Sequence, residues 1–431
     1  MNNTSGRASK HRICRRFLAA FAIGATLCAQ NPPAAKITLS QALQEAIDKN
    51  LNLLAEKHNV AIADARIITA GIKPNPLLSV EGDHQNLLGS TYTLDNNGGP
   101  QEYSIRVDFL LERGHKRERR VELAQAVKSV TELQFLNTVR GLVLDVQNSF
   151  IDALAAKASL TLATENLKSL NDIVAINAIR VRAGDLSQVE LTRSKLAALQ
   201  FQNAVKQAEL KLRIAKSRLQ FLMGRPVMAA DFNVDGELRR EILAEGIEPL
   251  REQAMKLRPD LLSIVKDQAR SDADLRLQTA TAKVDFTLGT EYRRQQYTAY
   301  SNSLGFFMSV PLPVFNKNQG EIERAKREGQ QLVMRVNAAK SSIAAELDAA
   351  WQQYQTSKLL LESIEKDMLE QAREVRSITE YSYRRGEASF VEFLDAQRAF
   401  NDTMQSYNDA RADYARSLFL LDSISGKAVN P

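Results

Sequence analysis

The chain has 431 residues, of which 44% are hydrophobic and 25% are charged. This composition excludes an intrinsically disordered chain and predicts a folded protein with a sizeable core. The formal net charge is +6, which would ordinarily indicate an anionic partner such as nucleic acid or a membrane surface. The excess positive charge, however, is concentrated at the N-terminus.

Residues 1–29 have the pattern of a secretory signal peptide. A basic stretch precedes the short apolar run Phe17–Ala29, and the polar segment QNPPAA follows. The run is shorter than the roughly 20 apolar residues of a transmembrane helix. Cleavage leaves 52 basic against 51 acidic residues, a net charge of +1, so we expect an exported protein without a nucleic-acid partner. The basic residues that the leader removes are Arg7, Lys10, Arg12, Arg15 and Arg16.

Both cysteines, Cys14 and Cys28, belong to this leader. The mature chain then has no cysteine, which excludes disulfides, thiolate metal sites and a cysteine nucleophile. An alternative is lipoprotein processing, which would retain Cys28 as an acylated first residue. Leu27 is a poor fit for the small residue that such processing prefers.

The rest of the chain contains an internal sequence repeat with two copies. At an offset of about 202 residues, RAGDLSQVEL (Arg182–Leu191) superimposes on RRGEASFVEF (Arg384–Phe393), and Gly224 superimposes on Gly426. The sequence therefore predicts two tandem repeats, at residues 30–245 and 246–431. Each repeat is predicted to contain a short helix, a β segment, a very long helix, a sharp turn and a medium helix.

Proline-free stretches predict long helical hairpins at about 116–223 and 319–425. Apolar spacings of three, four and seven residues indicate coiled-coil seams, and the helices reverse at Gly184 and Gly386. A helix from Lys116 to Arg182 would be roughly 100 Å long at 1.5 Å per residue, which only an elongated protein accommodates. The first predicted seam includes Val143, Val146, Phe150, Leu154, Leu160, Leu167, Leu170 and Val174.

Four segments alternate between apolar and polar residues and are predicted to be strands, at about 77–84, 103–111, 284–293 and 304–312. Each has the length of a tilted membrane-spanning strand. Alternation alone favours a soluble sheet with one solvated face. The matching positions in both repeats of an exported chain favour membrane strands. A four-stranded sheet cannot close a barrel, and open sheet edges are not tolerated in lipid, so we expect oligomerisation; three chains would supply twelve strands.

These features together resemble the TolC-like outer membrane efflux proteins, the outer membrane factors of tripartite efflux systems. The resemblance covers about Ile37 to Gly426 and rests on ITLSQALQEAIDKNLNL, the paired helix reversals and VPLPVFNKNQGEIERA after the fourth strand. The segment LLERGHKRERR (Leu110–Arg120) is similar to the ELGGKR-type motif of the heavy-metal cation efflux, CzcC-type branch. Arg113 and His115 depart from that motif.

The resemblance implies a mainly α-helical fold with membrane β strands. It implies a homotrimer that forms a twelve-stranded β-barrel in the outer membrane, surrounded by lipid and continued by an α-helical barrel in the periplasm. It also implies a periplasmic adaptor (membrane fusion) protein and an inner-membrane pump of the RND type as partners. The residues implied to form the adaptor-docking tips are Arg182, Gly184, Ser187, Arg384, Gly386 and Ser389.

A carboxylate pair follows the second helix reversal. Glu392 and Asp395 are three residues apart, which places them on one face of a helix. Such a pair is most often simply solvated, but the resemblance implies an acidic ring at a periplasmic entrance gate, which would favour cations. Glu190 and Tyr383 match a carboxylate and a tyrosine that close this entrance in the family. Ala388 stands where the family has a gate arginine, so the gating network must differ.

No catalytic or metal-binding motif is present in the sequence. The histidines after the leader, His58, His84 and His115, have no metal-ligand spacing, so we expect no bound metal, no cofactor and no enzymatic activity. Two other classes remain alternatives to an efflux channel: a periplasmic coiled-coil adaptor and a coiled-coil scaffold. Within the channel class, heavy-metal cations and drugs or other small molecules both remain open as substrates.

Overall fold

The structure is a computed structural model that describes residues 35–85, 100–226, 231–244, 246–296 and 299–427. The predicted signal peptide, including Cys14 and Cys28, lies outside these residues. Most of the predicted loop between Gln85 and Glu102 also lies outside them.

The first half of the chain contains seven elements. Its longest helix has 68 residues, which corresponds to about 100 Å at 1.5 Å per residue. The elements are β1 (Ala35–Ile37), α1 (Leu39–Lys49), α2 (Leu51–Gly71), β2 (Leu77–Asp83), β3 (Gln101–Leu111), α3 (Lys116–Ala183) and α4 (Gln188–Leu222).

The second half repeats this order. It contains β4 (Phe232–Val234), α5 (Ile247–Leu257), α6 (Pro259–Thr281), β5 (Phe286–Gln296), β6 (Tyr300–Ser309), α7 (Gln319–Ser363), a π-helical turn (Ile364–Met368), α8 (Leu369–Arg385) and α9 (Phe390–Ser425). The predicted tandem organisation of helical hairpin plus β-hairpin is confirmed. Two details differ: each half has two short helices, not one, and the π turn interrupts the second long helix.

The four long strands form one antiparallel sheet in the order β2-β3-β5-β6, and the pairing of β3 with β5 joins the two halves. The second hairpin is longer than predicted. Its predicted loop, Arg294 to Ser303, is largely strand, because Arg294 pairs with Asn302 and Gln296 with Tyr300. The sequence did not indicate that the strands continue, because most side chains in this segment are polar and lack the apolar alternation.

The two faces of this sheet differ in an unusual way. The face that carries Leu78, Ile105, Tyr292 and Phe306 is here called the apolar face, and the opposite face the polar face. Apolar side chains are exposed, with Phe306 77% and Ile105 50% accessible, whereas Glu291 on the polar face is 5% accessible. A soluble sheet buries its apolar face against a core. The arrangement therefore argues against the soluble-sheet alternative.

The hydrophobic core lies among the helices and divides into clusters that follow the repeat. One cluster joins α1, α3 and α4 to the small parallel sheet of β1 and β4, and another joins α5, α7 and α9. A third lies near the helix reversals. Within the described residues, no helix has both the length and the apolar character needed to cross a bilayer.

The repeated glycines Gly224 and Gly426 explain part of the sequence repeat. Both have positive φ, at 69° and 83°. A Cβ on Gly224 would lie 2.2 Å from the carbonyl oxygen of Lys49, and one on Gly426 would lie 2.9 Å from the Cβ of Leu257. Each glycine thus lets the end of a hairpin pack against the junction of the two short helices in its own repeat.

Candidate functional site

The first helical hairpin reverses between α3 and α4. Gly184 follows α3 with a φ of 88°, and its N–H donates to the carbonyls of Arg180 and Val181. Ser187 caps α4, where its hydroxyl accepts from the N–H of Glu190 at 3.3 Å. The turn is therefore made by a glycine that ends one helix and a serine that begins the next.

The second hairpin reverses in the same way, with a stronger cap. Gly386 has a φ of 83°, and Ser389 begins α9. Glu392 completes a capping box, since its carboxylate accepts from the N–H of Ser389 at 2.7 Å and from the hydroxyl of Ser389 at 2.9 Å. The hydrogen bond from the Ser389 backbone, followed by that from its hydroxyl, lowers the pKa of Glu392 below its usual value.

The carboxylates predicted for the gate are close to this turn. Glu392 and Asp395 are both exposed on the first two turns of α9, and Nη1 of Arg398 is 4.0 Å from Oδ1 of Asp395. Glu190 is half-buried in the first turn of α4. Within one chain, the carboxylate of Glu392 is thus fixed by its hydrogen bonds to Ser389, while that of Asp395 has only a long ion pair with Arg398.

Tyr383, the fourth predicted gate residue, is 2% accessible. Its hydroxyl donates a hydrogen bond of 2.7 Å to Oδ1 of Asn177 on α3. Burial, opposed by this hydrogen bond, raises the pKa of Tyr383. The tyrosine therefore bonds to the first hairpin, and its acceptor there is Asn177, which sequence reasoning missed.

Aromatic packing fixes the ring of Tyr383. It stacks on Phe393 at 5.5 Å between ring centroids and contacts Phe390 at 5.9 Å. These rings pack with Leu170 and Ile173 of α3 in the cluster near the reversals. The end of α8 and the start of α9 are thereby attached to the first hairpin.

A second contact between the hairpins comes from Arg180, which was not predicted. Its Nη1 donates to the carbonyl of Tyr383 at 3.3 Å, and a Cβ on Gly386 would lie 2.7 Å from its Nη2. Arg180 therefore lies against the second reversal, and the two tips form one surface within a chain.

The arginines predicted at the docking tips are both exposed and bonded one turn back on their own helices. Nε of Arg182 donates to the carbonyl of Ala178 at 3.3 Å, and Nη2 of Arg384 pairs with Glu380 at 2.7 Å. Gly184, Ser187, Gly386 and Ser389 are exposed beside them.

A layer of polar side chains is buried further along the hairpins. Nδ2 of Asn166 donates to Oδ1 of Asn401 at 2.6 Å, and Nε2 of Gln397 donates to Oδ1 of Asn166 at 3.0 Å. The buried side of α3 here is Asn166, Leu170, Ile173 and Asn177. The predicted seam named Leu167 and Val174 instead, which are only half-buried, because counting only apolar residues passes over asparagines at seam positions.

The polar face of the sheet is a second candidate site. Nε of Arg106 donates to Oδ1 of Asp108 at 2.8 Å, and its guanidinium lies 4.7 Å from the ring centroid of Phe307. Arg293 pairs with Glu291 at 2.8 Å and with Glu102 at 3.4 Å. The acidic residues on this face outnumber the basic ones. The acids are Glu81, Asp83, Glu102, Asp108 and Glu291, and the bases are Arg106 and Arg293.

No group of three or more histidine, cysteine, aspartate or glutamate side chains suited to hold a metal ion occurs among the described residues.

The sequence and the fold have counterparts among known proteins. The sequence profile of the family described as "Outer membrane efflux protein" matches residues 42–225 and 250–427, one segment in each repeat. The chain belongs to this family, whose members are efflux channels of the outer membrane. Of the three classes considered from the sequence, the family match supports the channel and not the periplasmic adaptor or the scaffold.

Individual relatives are similar along most of their length. The cobalt-zinc-cadmium resistance protein CzcC of Cupriavidus metallidurans is 22% identical over 401 residues, covering 91% of this chain and 91% of CzcC. The pyoverdine export outer membrane protein OpmQ of Pseudomonas putida is 22% identical and covers 84% of this chain and 80% of OpmQ. The cation efflux system protein CusC of Escherichia coli K12 is 23% identical over 87% of this chain and 83% of CusC.

A solved structure of CusC has the same fold. It superimposes with a TM-score of 0.73 at 18% sequence identity and covers 90% of this chain and 92% of the CusC chain.

Proposed function

We propose that this protein is the exit channel of a tripartite efflux system and exports heavy-metal cations. The observation that carries the cation assignment is the acid excess on the polar face of the sheet, five carboxylates against two arginines. A pore lined by this face would attract cations and repel anions. The names of CzcC and CusC, a cobalt-zinc-cadmium resistance protein and a cation efflux protein, support the same substrate class.

Three copies of the chain would form the channel. In one chain, β2 and β6 are the edges of the four-stranded sheet. Open strand edges are not tolerated in lipid, so β6 of one copy must pair with β2 of the next. Closure by three copies gives a twelve-stranded barrel with its apolar face toward lipid and its polar face toward the pore.

The two tips of the helical hairpins are the proposed docking surface for a periplasmic adaptor. Gly184 and Gly386 are exposed at the two reversals, and Arg180 joins the reversals into one surface. Arg182, Ser187, Arg384 and Ser389 lie on the same surface. The adaptor would connect the channel to an inner-membrane pump of the RND type, which supplies the energy, so that this chain itself is a passive duct without enzymatic activity.

The entrance gate is proposed at the same end. Glu392 and Asp395 of three copies would place six carboxylates around one opening, with Glu190 close by. In the capping box of Ser389, the carboxylate of Glu392 stays ionised below its usual pKa.

Export of small organic molecules is the second candidate. The similarity to OpmQ, a pyoverdine export protein, supports it, and the identity of 22% is the same as that to CzcC.

One comparison separates the candidates. A deletion strain, complemented with the wild-type gene, is grown with cobalt, zinc, cadmium or copper salts and, separately, with hydrophobic drugs. The cation proposal expects sensitivity to one or more of the metals with unchanged drug tolerance. Sensitivity to the drugs alone would overturn it in favour of the second candidate.

A further inference from the structure

An arginine surrounded by tyrosines lies on the apolar face of the sheet, at its far end from the helices. All four strands connect to helices at one end, and both hairpin loops leave from the other. At the loop end, Arg294 lies in a shallow groove of about 420 Å³. The groove is lined by Gln101, Tyr103, Ile105, Tyr292, Arg294, Gln296 and Tyr300.

Arg294 is the one charged side chain on the apolar face of these four strands. Among the described residues, no carboxylate pairs with it. Its neighbour Arg293 points to the polar face and pairs there with Glu291 and Glu102. Of these two adjacent arginines, Arg293 therefore has carboxylate partners in the chain, whereas Arg294 is available to bind an external anion.

The geometry of the groove leaves hydrogen-bond donors available. The guanidinium of Arg294 lies 4.1 Å from the ring centroid of Tyr300, a stacking contact that uses its flat face and leaves the N–H edges free. The hydroxyl of Tyr300 has no hydrogen-bond partner within the described part of the chain. Tyr103 and Tyr292, in contrast, donate at 2.9 Å to Gln85 and to Asn302.

The depth of Arg294 corresponds to the boundary of a membrane. Phe286, the first residue of β5, is on the same face as Arg294. Arg294 lies eight residues further along the strand, which is about 26 Å at 3.3 Å per residue. With a strand tilt of about 40°, this is about 20 Å across a hydrocarbon band that is roughly 25 Å tall in outer-membrane proteins. Aromatic residues mark such boundaries, and an arginine is tolerated there at little cost.

We infer that the groove around Arg294 binds the phosphate group of a lipid in the outer leaflet of the outer membrane. The guanidinium donates to the phosphate oxygens, a geometry that arginine provides better than lysine, and the Tyr300 hydroxyl donates a further bond. The acyl chains lie along the apolar face below, where Leu304 and Phe306 are 66% and 77% exposed. This continuity with the apolar face favours a lipid phosphate over a free phosphate ion. The inference rests on the outer-membrane location of the family.

The test measures lipid binding by the purified full chain in detergent, with EDTA present so that divalent ions cannot bridge other groups. Native mass spectrometry reports bound diphosphoryl lipid A for the wild type and for Arg294→Gln, Tyr300→Phe and Arg293→Gln. The Arg293→Gln variant is the matched control, because it removes the same charge one residue away on the opposite face. Circular dichroism and the oligomer mass verify that each variant is folded.

We expect Arg294→Gln to weaken lipid A binding about tenfold or more, as the loss of charge-assisted hydrogen bonds predicts. Tyr300→Phe keeps the stacking contact and should weaken binding less, and Arg293→Gln should bind as the wild type does. Equal binding by wild type and Arg294→Gln would overturn the inference. Equal binding of dephosphorylated lipid A would also overturn it, as would full competition by 10 mM inorganic phosphate. Because the assay measures lipid and not transport, its outcome is independent of the exported substrate.

Discussion

The hydroxyl of Tyr383 donates a hydrogen bond of 2.7 Å to the side-chain carbonyl of Asn177, 206 residues earlier in the chain. Both side chains are buried, and the bond joins the last two turns of the two long helices next to the reversals. The Nδ2 group of Asn177 has no partner in the described part of the chain. The amide therefore depends on the tyrosine for its hydrogen bonding, which makes this pair a sensitive point of the tip.

Replacement Tyr383→Phe should loosen the tip. The phenyl ring keeps its packing on Phe393, but the buried carbonyl of Asn177 loses its donor, which costs about 1–3 kcal/mol. Hydrogen exchange measured by mass spectrometry should become faster in the peptides around both reversals. Tyr381→Phe is the control, because Tyr381 is 56% exposed and its contact with Arg385 needs only the ring. Equal exchange in both variants would contradict the proposed dependence.

The carboxylate ring is tested by ion selectivity in planar bilayers. The double variant Glu392→Gln and Asp395→Asn should reduce the preference for cations, because six negative charges leave the entrance of the proposed trimer. The swapped pair Glu392→Asp and Asp395→Glu keeps the charge and serves as the control. Unchanged selectivity in the neutral variant would remove the ring from the gate.

Two substitutions of Glu392 distinguish the effect of its negative charge from the effect of its hydrogen bond in the capping box. Glu392→Gln retains an acceptor for the Ser389 N–H, whereas Glu392→Ala removes it. We expect the alanine variant to show faster hydrogen exchange at the start of α9 and the glutamine variant to resemble the wild type at neutral pH. Similar exchange in both variants would mean that the capping box contributes little to the order of this tip.

A glycine at a hairpin end and a glycine inside α3 predict opposite effects of substitution by alanine. Gly426→Ala places a Cβ against Leu257 and in a left-handed backbone conformation, which costs about 1–2 kcal/mol for the backbone alone. Gly141→Ala, in the middle of α3 with open space around it, should stabilise by about 1 kcal/mol. Apparent melting temperatures should move in opposite directions, and a loss of stability in both would contradict the assignment.

Acid should weaken the contact between Glu45 of α1 and Arg225 after α4. The two side chains are 2.6 Å apart, and the hydrogen bond from Arg225 lowers the pKa of Glu45. A carboxyl group with a lowered pKa stabilises the fold above its usual pKa near 4.5, and this contribution is lost as the pH falls through the lowered value. The apparent melting temperature of Glu45→Gln should therefore fall less than that of the wild type between pH 6 and pH 3. Parallel curves would exclude the pair as a source of acid sensitivity.

The sequence predicted the features that depend on neighbouring residues. Helix ends at Gly184 and Gly386 follow from the conformational preference of glycine next to a serine cap, and the strand pattern follows from alternation. The prediction was wrong at Arg294 to Ser303, which was expected to be a loop. The strands β5 and β6 continue into this segment, but their residues there are mostly polar and do not alternate with apolar ones. The seam of α3 was misjudged at Leu167 and Val174 because buried asparagines do not appear in an apolar pattern.

By itself, the sequence determined the tandem repeat, the positions of the helix reversals and the two-faced strands, since all of these are local patterns repeated at a fixed offset. The tertiary structure decided which partners meet. It pairs Tyr383 with Asn177, sets Arg180 against Gly386, and brings Arg293 to Glu102 on the neighbouring strand. The physical reason is that hydrogen bonds and ion pairs between distant segments depend on how the two repeats pack, and no local periodicity specifies that packing.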